Sequence, residues 1–503
     1  METGQRTAAE RYTGPLTEEG LEAIFGGSDD WVSRNVRTAG GPEALLMYIE
    51  GLCDGDSIAE QVLRPLTEPE RMGMFAAPGP AEEAILSGRV YSCAVKRRRE
   101  LGEAASDLLD GSCLLIFPGT GSALSFQVKS KDKRPVGEPR DEKVLKGARD
   151  AFVEPIRVNT GLVRRRLKNP DLRIVETDMG SRAGTKAAVV YIEGFTSPAL
   201  VDELKRRVEN IRTEGIITSA ALEENIADRL SSPFPTLIST ERPDKFCLNI
   251  LEGRVGILAD GLPMGYLAPG TFAQFFKAPE DSANHFIVGS ILTVLRYLAL
   301  LISLLLPAFY VSVATYHHEM LPTKLMMTII QARQSVPFPT GFEALAMLTA
   351  FELLQEAGLR LPQSVGQTVS IIGALVVGDA AVSAKMLSPE IVIVVALAGI
   401  SGYTMPNQDM GNALRICRFL LVICAAAAGM FGLAIGCGLL IYHLCSLESC
   451  GVPYMTPLSG GGDRLSAFIR RPSPEAPLAE PALKTQGDGS RRTENADSGR
   501  MES

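Results

Sequence analysis

The chain has 503 residues, of which 46% are hydrophobic and 21% are charged, and it carries a formal net charge of −8. A mean hydropathy of +0.12 is too high for a purely water-soluble protein, whereas the charged fraction is too high for a protein that lies wholly in a membrane. The acidic balance argues against nucleic-acid binding, because no basic face dominates. The basic clusters at 96–99 and 164–168 are interpreted as solvated helix surface, with contact to anionic lipid or another polyanion as the alternative.

Cysteine and histidine content argues against metal and disulfide chemistry. The nine cysteines are scattered without a CxxC pair, and the chain has only four histidines. We expect no metal site and no cofactor. We also expect no enzymatic activity, because no catalytic triad, acid/base cleft or phosphate-binding loop is recognisable. Residues 1–29 lack the apolar core of a signal peptide, which predicts that the soluble part stays on the cytosolic side.

The first half of the chain is predicted to be a soluble α/β region of two subdomains. Residues 1–25 are expected to be a flexible tail, and residues 26–130 are expected to form the first subdomain. Its expected elements, in chain order, are a helix at 29–38, a strand at 44–51, helices at 58–66 and 81–109, and a hairpin of strands at 113–117 and 123–129.

A second block repeats this plan. Residues 131–142 form the expected linker, and residues 143–281 form the second subdomain. The tetrapeptide Tyr-Ile-Glu-Gly occurs at 48–51 and again at 191–194, each time at the end of a predicted strand. An old duplication and a similar element order without common ancestry explain this repeat equally well. The elements expected after the second tetrapeptide are helices at 199–211 and 218–230 and a hairpin at 255–263.

Residues 286–446 hold nearly all the long apolar runs and are predicted to form an α-helical multi-span membrane domain. Four or five spans are expected, and the short run at 326–332 is expected to be re-entrant or interfacial. An odd number of spans places the C-terminal tail outside and an even number places it inside. Residues 459–503 of that tail are predicted to be disordered. The candidate spans are 286–315, 342–354, 365–384, 390–403 and 419–442.

Several residues predict local structure in these spans. Arg296 is expected near the cytosolic interface with its side chain reaching toward water, and Pro307 is expected to kink the first span. Arg418 is interpreted as a mark of a cytosolic start for the last span. Gly432 and Gly436 in that span predict close packing against another helix.

The stretch 341–405 carries acidic residues that a plain membrane anchor would lack. A carboxylate within the hydrocarbon layer costs about 2.5–3.5 kcal/mol, so such residues face a bundle interior, a partner or a water path. Glu343 and Glu352 are expected to point in nearly opposite directions from one helix, because they are nine positions apart. Glu343, Glu352 and Asp379 are the candidates for an ion pathway, with a purely structural role as the alternative for each.

Motifs in both halves resemble those of a known family, the A subunits of GerA-type spore germinant receptors. The resemblance covers about residues 25–472, and the combination of motifs is specific although each is weak alone. In the membrane half the motifs are LPAFY at 306–310, HEMLP at 318–322, VPFP at 336–339, FELLQEAGLRLP at 351–362, GQT at 366–368 and GALVVG at 373–378. In the soluble half and after the last span they are RRR at 164–166, YIEG at 191–194, SPFP at 232–235, STERPD at 239–244, LEGR at 251–254 and GVPY at 451–454.

The resemblance implies an integral protein of the endospore inner membrane, with its soluble domain on the cytosolic (core) side. It implies a permease-like B subunit that senses the nutrient, a lipoprotein C subunit, and self-association into a ring that passes monovalent cations when a germinant binds. Asp379 stands where the family pattern leads us to expect Gln, Leu348 where many members carry an acid, and Ala148 where Pro is expected. These departures change the charge pattern expected of a pore in this member.

Three other interpretations remain open. A related branch encoded with the dipicolinate-release machinery shares most of the motifs, and the neighbouring genes would separate it from the receptor. A non-conducting membrane scaffold that clusters partner receptors is the second. A secondary transporter is the third, although the spans show no internal symmetry to support it. The sequence identifies neither the germinant, the number of subunits nor the ion selectivity.

Overall fold

The computed structural model divides the chain into two compact units. The N-terminal unit comprises Met1–Ala227, Leu237–Pro269 and Pro477–Ser503, and the helical unit comprises Asp228–Thr236 and Gly270–Ala476. The residues that the structure describes are 11–39, 41–68, 77–89, 94–130, 137, 139, 142, 147–180, 182, 184–360, 378–459, 463–472, 483 and 485, with the side chains of 359 and 360 left aside.

The first sheet of the N-terminal unit has five antiparallel strands and helices on both faces. The strands are β1 (Trp31–Arg37), β2 (Glu43–Ile49), β3 (Val95–Arg98), β4 (Ser112–Ile116) and β5 (Ala123–Gln127), in the order β1-β2-β4-β5-β3. The helices are α1 (Glu18–Phe25), a helical run in three pieces (Gly55–Ser57, Ile58–Leu63 and Arg64–Thr67), α2 (Pro78–Ala84), which continues as Ile85–Arg89, and α3 (Leu101–Leu109).

Both faces of this sheet are buried. Leu46 of β2 packs in one apolar cluster with the helical run and α2, whereas Met47 packs in another with α1 and α3. Successive side chains of a strand point to opposite faces, so a strand covered on both sides is apolar at nearly every position. This burial explains why β2, β4 and β5 were predictable from their continuous apolar runs.

The second sheet repeats the strand order of the first. Its strands are β6 (Leu172–Met179), β7 (Thr185–Ile192), β8 (Ile238–Thr240), β9 (Val255–Ala259) and β10 (Gly265–Ala268), in the order β6-β7-β9-β10-β8. Counted along the chain, each sheet therefore has the order first, second, fourth, fifth, third. The related plan inferred from the repeated tetrapeptide is confirmed at the level of topology. The helices of this part are α4 (Ile156–Arg166), α5 (Pro198–Glu209), α6 (Ser219–Ile226) and α7 (Pro243–Leu251).

The repeated tetrapeptide has a physical role in each sheet. Gly51 follows β2 with a φ of 87°, and Gly194 follows β7 with a φ of 71°. Only glycine adopts this region without steric cost, so each glycine ends its strand and turns the chain.

A buried ion pair joins the segment before β1 to α4 and β6. The side chains of Arg164 and Asp30 are each 1% exposed, and the guanidinium Nε and Nη2 donate to the two carboxylate oxygens over 2.8 Å. Nη2 also donates to Ser28 Oγ (2.7 Å), and Nη1 donates to the Leu172 carbonyl (2.9 Å). The interpretation of 164–168 as solvated surface was therefore wrong for Arg164, which has enough partners to be buried.

Two predictions about the first subdomain were wrong. The segment expected to be helical at 29–38 contains strand β1, because β1 pairs along its whole length with β2, as in Val36 opposite Ala44. The helix expected at 81–109 is interrupted by β3, because Gly88 leaves the helical region with a φ of 92° and the chain then pairs with β5. Local periodicity does not reveal such long-range pairing.

The prediction of a flexible tail at 1–25 was also wrong for residues 18–25. Residues 18–25 form α1, which is capped by the Thr17 side chain. Leu21, Ile24 and Phe25 lie on one face of that helix and are buried in the core. Their spacing of three and four residues gives the helix an apolar stripe that anchors it to the sheet.

The helical unit contains five long helices in the part of the chain that is described. They are α8 (Phe286–Tyr316), α9 (Thr323–Arg333), α10 (Thr340–Arg360), α11 (Pro389–Gly402) and α12 (Gln408–Cys445). Among the described residues, α8 and α12 are long and apolar enough to cross a membrane, and α11 is a shorter apolar helix. Most of the span predicted at 365–384 lies outside the described residues, so the count of four or five spans stays a prediction.

Two expectations for these helices need correction. Helix α10 has 21 residues and is not limited to the marginal thirteen expected at 342–354. Arg296 does not extend into water: it forms an ion pair with Asp281, with Nη2 3.0 Å from Oδ1, and the two side chains are 11% and 9% exposed. A partner within the same unit balances its charge.

Helix α12 is not a single rod, because the chain reverses direction at Ala428 and Gly429. Gly429 has φ 58° and ψ −139°, outside the helical region. Beyond it, a Cβ on Gly432 would lie 2.1 Å from the Cys424 carbonyl oxygen, and one on Gly436 would lie 2.7 Å from a methyl of Leu421. Residues 421 and 436 would be about 22 Å apart in a straight helix. The two halves of α12 therefore form a helical hairpin, and the glycines predicted to allow close packing lie at its contact.

Candidate functional site

The polar groups inside the helical unit are its most informative feature. Glu343 lies in the first turn of α10 and its side chain is fully buried. Its Oε2 accepts hydrogen bonds from the backbone N–H of Ser388 (2.9 Å) and from Ser388 Oγ (2.8 Å). Ser388 is the residue that caps the N-terminus of α11, where backbone N–H groups and the helix dipole favour a negative charge.

The other oxygen of Glu343 is free within the described structure. Oε1 is buried and has no hydrogen-bond partner among the described residues. A buried carboxylate oxygen without a partner is costly and therefore marks a position that a ligand, an ion or a proton could occupy.

Glu352 lies on the opposite side of α10 and contacts α12 instead of α11. Its Oε1 is 2.5 Å from Arg418 Nη2, and its Oε2 is 3.6 Å from Arg415 Nη1. The different partners of Glu343 and Glu352 confirm that the nine-residue spacing directs them to different neighbours. The negative charge of Glu352 is balanced within its own chain.

Asp379 is separate from both glutamates. It is exposed, and among the described residues it has neither an ion pair nor a side-chain hydrogen bond. The structure therefore does not bring Glu343, Glu352 and Asp379 together within one chain. Whether they line a common pathway stays a prediction.

Sequence reasoning missed the role of Arg418. It was interpreted as a topological signal, whereas the structure places its side chain in the bundle, 3% exposed and paired with Glu352. The sequence did contain a signal for this pairing. Arg415 and Arg418 lie three residues apart, on one face of a helix, and another apolar segment carries the carboxylate of Glu352.

Sequence reasoning also missed the contact that holds the hairpin of α12. The Tyr316 hydroxyl, at the end of α8, donates to the carbonyls of Ala426 (2.9 Å) and Ala427 (3.2 Å). These carbonyls end the first half of α12 and have lost their helical partners, so the tyrosine satisfies them. A run of alanines and glycines contains no signal that distinguishes such a reversal from a continuous helix.

The chain segments at the two ends of the helical bundle lie side by side. Phe272 N donates to the Tyr454 carbonyl (2.8 Å), and Arg470 N donates to Ser290 Oγ (3.0 Å). Burial among these side chains raises the pKa of Tyr454. The segment after α12 is thus on the same side of the bundle as the segment before α8.

Two buried cysteines of the N-terminal unit, Cys53 and Cys247, are not activated thiols. Burial raises the pKa of Cys53 and of Cys247 to about 12. Both side chains are therefore protonated at neutral pH and poor nucleophiles. In the described part of the chain, no three His, Cys, Asp or Glu residues come together as a metal site would require.

Comparison with known proteins decides the family. The family model described as Bacillus/Clostridium GerA spore germination protein matches residues 19–477. This chain belongs to the GerA family of spore germination proteins. The family predicted from the sequence motifs is therefore confirmed, and the GerA match spans both the N-terminal unit and the helical unit.

Two GerA relatives come from Bacillus subtilis (strain 168). Spore germination protein KA is 38% identical over 436 residues, covering 86% of this chain and 79% of that protein. The uncharacterized membrane protein YfkQ is 37% identical over 441 residues, covering 88% of this chain and 85% of that protein. Both alignments cover most of each chain, so the similarity is not limited to one unit.

A solved structure is also similar in sequence to part of this GerA chain. It is the crystal structure of the N-terminal domain of the A subunit of the Bacillus megaterium spore germinant receptor GerK3. The identity is 30%, the match covers 52% of this chain and 99% of that chain, and the TM-score is 0.42.

Proposed function

We propose that this chain is the membrane subunit of a nutrient germinant receptor in the inner membrane of an endospore. In this proposal it acts with a permease-like B subunit and a lipoprotein C subunit, and several copies form a ring that passes cations when a nutrient binds. Membership of the GerA family over residues 19–477 supports the role in germination. The chain itself is proposed to have no catalytic activity.

The observation that carries the conduction proposal is the buried charge of the helical unit. A protein that only anchors a soluble domain needs no ionised groups between its membrane helices, and each such group is costly. Here Glu343, Glu352 and Arg418 all lie between helices. Acidic groups at the same height in a ring of identical subunits would lower the barrier for cations.

Among the three predicted pathway acids, Glu343 is the leading candidate. Its Oε1 has no partner among the described residues, whereas Glu352 is held by Arg418 and Arg415. Substitution of Glu343 by Gln keeps an oxygen that can accept from Ser388 and removes only the charge. It therefore separates a role in conduction from a role in packing.

The proposed topology has an even number of crossings. The segments before α8 and after α12 lie together, and the hairpin returns α12 to the side from which it started. We place both segments on the cytosolic side, with the N-terminal unit, and the hairpin turn toward the opposite face of the membrane.

One observation favours a second candidate, a non-conducting scaffold. The intrachain pairing of Glu352 with two arginines leaves no negative charge there for a cation. In a scaffold, the buried charges would serve only to join helices.

Reconstitution distinguishes the channel from the scaffold. The purified complex with its permease-like partner is placed in liposomes loaded with K⁺, and the nutrient is added outside. A receptor channel releases K⁺ down its gradient, and E343Q lowers the release by about tenfold while the protein inserts normally. A scaffold releases none, and a transporter saturates with its substrate. Unchanged release by E343Q would remove Glu343 from the pathway.

A further inference from the structure

The arginine pair of α12 contacts one acid among the residues that the structure describes. Arg415 and Arg418 lie one turn apart and share a single acid, Glu352. Arg418 is 3% exposed, and its Nε has no hydrogen-bond partner among the described residues. Within the described part of the bundle, two guanidinium groups and one carboxylate leave one surplus positive charge, which a second anion would offset.

The space beside the two arginines limits what that anion can be. They line a cavity of about 20 Å³ together with Ser303, Gln355 and Tyr403. This volume holds about one water molecule, so only the tip of a side chain fits there. Arg415 is 34% exposed and lies at the accessible end of the pair. The matching ligand is a single carboxylate that approaches from outside the bundle.

Asp379 is an exposed carboxylate at the corresponding depth. Ser388 contacts Glu343 at the start of α10, and Ala381 lines one groove with residues 342–350 of α10, so we infer that residues 379–388 run antiparallel to that helix. Ala350 is half a turn before Glu352. Asp379, two residues before Ala381, therefore lies at about the depth of the cluster formed by Glu352 and the arginines.

We propose that Asp379 of one copy forms an ion pair with Arg415 and Arg418 of the adjacent copy. In a ring whose axis is perpendicular to the membrane, contacts between copies join residues at equal depth, and a different patch of each subunit faces each neighbour. The contact brings two carboxylates to two guanidinium groups and neutralises the cluster. It also balances Asp379, which has no ion pair among the described residues of its own chain.

This inference rests on the self-association in the proposed function and names the contact that holds neighbouring copies together. It assigns Asp379 to that contact and not to the ion pathway. Charge complementarity then becomes part of the assembly, since neither group is neutral without its neighbour.

Cross-linking between differently tagged copies tests the contact. In a background with serine at the five cysteines of the helical unit, one copy carries D379C and the other carries R415C, and a bifunctional thiol reagent as long as an aspartate–arginine ion pair is added to the co-expressed membranes. We expect a cross-linked product that contains both tags. The matched control replaces R415C by I416C, because Ile416 is the next residue and is 53% exposed. The control pair should give at least about tenfold less product, because the side chain of residue 416 leaves α12 about 100° away from that of residue 415.

Charge reversal gives a second measurement that does not depend on the serine background. D379K and R415E should each reduce co-purification of the two tags by at least about tenfold, and D379K/R415E in one chain should restore it. Reversal of nearby exposed Lys385 (K385E) is the control and should have no effect. Failure of the double variant to restore co-purification, or equal cross-linking with the control pair, would overturn the proposal.

The two proposals fail separately. Cross-linked copies that release no K⁺ in liposomes would refute the channel and leave the contact intact. Copies that release K⁺ without the D379C to R415C product would refute the contact alone. If R415E removed the permease-like subunit but left the tagged copies together, the carboxylate would belong to that subunit and the present inference would be wrong.

Discussion

Arg164 and Arg418 are both buried, and each is paired with an acidic residue. Arg164 is buried with Asp30, Ser28 and a backbone carbonyl, and Arg418 is buried with Glu352. Each arginine was visible in the sequence, but its burial was not. Whether a basic residue is solvated or paired depends on residues that are far away in the chain, such as Asp30 for Arg164.

The Arg164 pair yields a prediction about stability. R164A leaves Asp30 buried without a partner and should destabilise the N-terminal unit by about 3–5 kcal/mol. The control is R182A, because Arg182 forms an exposed pair with Glu214 (77% and 78% exposed) and should contribute less than about 1 kcal/mol. The full chain is heated in detergent, and cleavage of the N-terminal unit by a protease reports its unfolding. This measures the loss of stability in both variants. Equal unfolding of the two variants would contradict the role assigned to Arg164.

At the scale of the element, sequence patterns predicted the helices and strands whose formation depends on local sequence or on burial. Continuous apolar runs predicted β2, β4, β5 and β7, because each is covered on both faces. The patterns failed for β1 and β3, whose state is decided by pairing with distant strands. The candidate acids were identified from the sequence because a carboxylate is rare in an apolar stretch, but the arginine partners of Glu352 were not.

The sequence did not predict that α12 reverses direction. Gly429 makes this reversal possible. A Cβ at this position would lie 2.9 Å from the Tyr316 ring and 3.0 Å from the His317 ring, and the backbone has a positive φ. G429A should therefore destabilise the helical unit by about 1–3 kcal/mol. G438A is the matched control, since nothing lies within 4 Å of its Cβ position. The melting temperature in detergent reports the difference, and a neutral G429A would contradict the hairpin.

The hairpin can also be detected by native cysteines. Cys424 lies against the second half of the hairpin, with its Sγ 3.6 Å from the Gly436 Cβ position, and Cys437 is the residue after Gly436. Mild oxidation should join Cys424 to Cys437 within one chain, as peptide mapping would show, and C424S should abolish the link. In a straight helix these residues are about 20 Å apart, so a complete absence of the link would favour a single rod.

At the scale of the whole molecule, the helical unit begins and ends on one side. Ser282 precedes α8 and Arg464 follows α12, and both are exposed. The variants S282C and R464C should therefore react with a membrane-impermeant thiol reagent from the same face of sealed vesicles. A cysteine at Met320, which is 57% exposed beyond α8, should react from the other face. Labelling of S282C and R464C from opposite faces would show an odd number of crossings.

We propose that this GerA chain couples nutrient sensing to cation release across the spore membrane. The most direct measurement is nutrient-triggered K⁺ release from spores in which this chain and its partner subunits are the only GerA-type receptor. We predict release that is abolished when the chain is deleted and restored by the wild-type chain, but reduced about tenfold by E343Q at normal protein level. Equal release from spores with and without the chain would contradict the account.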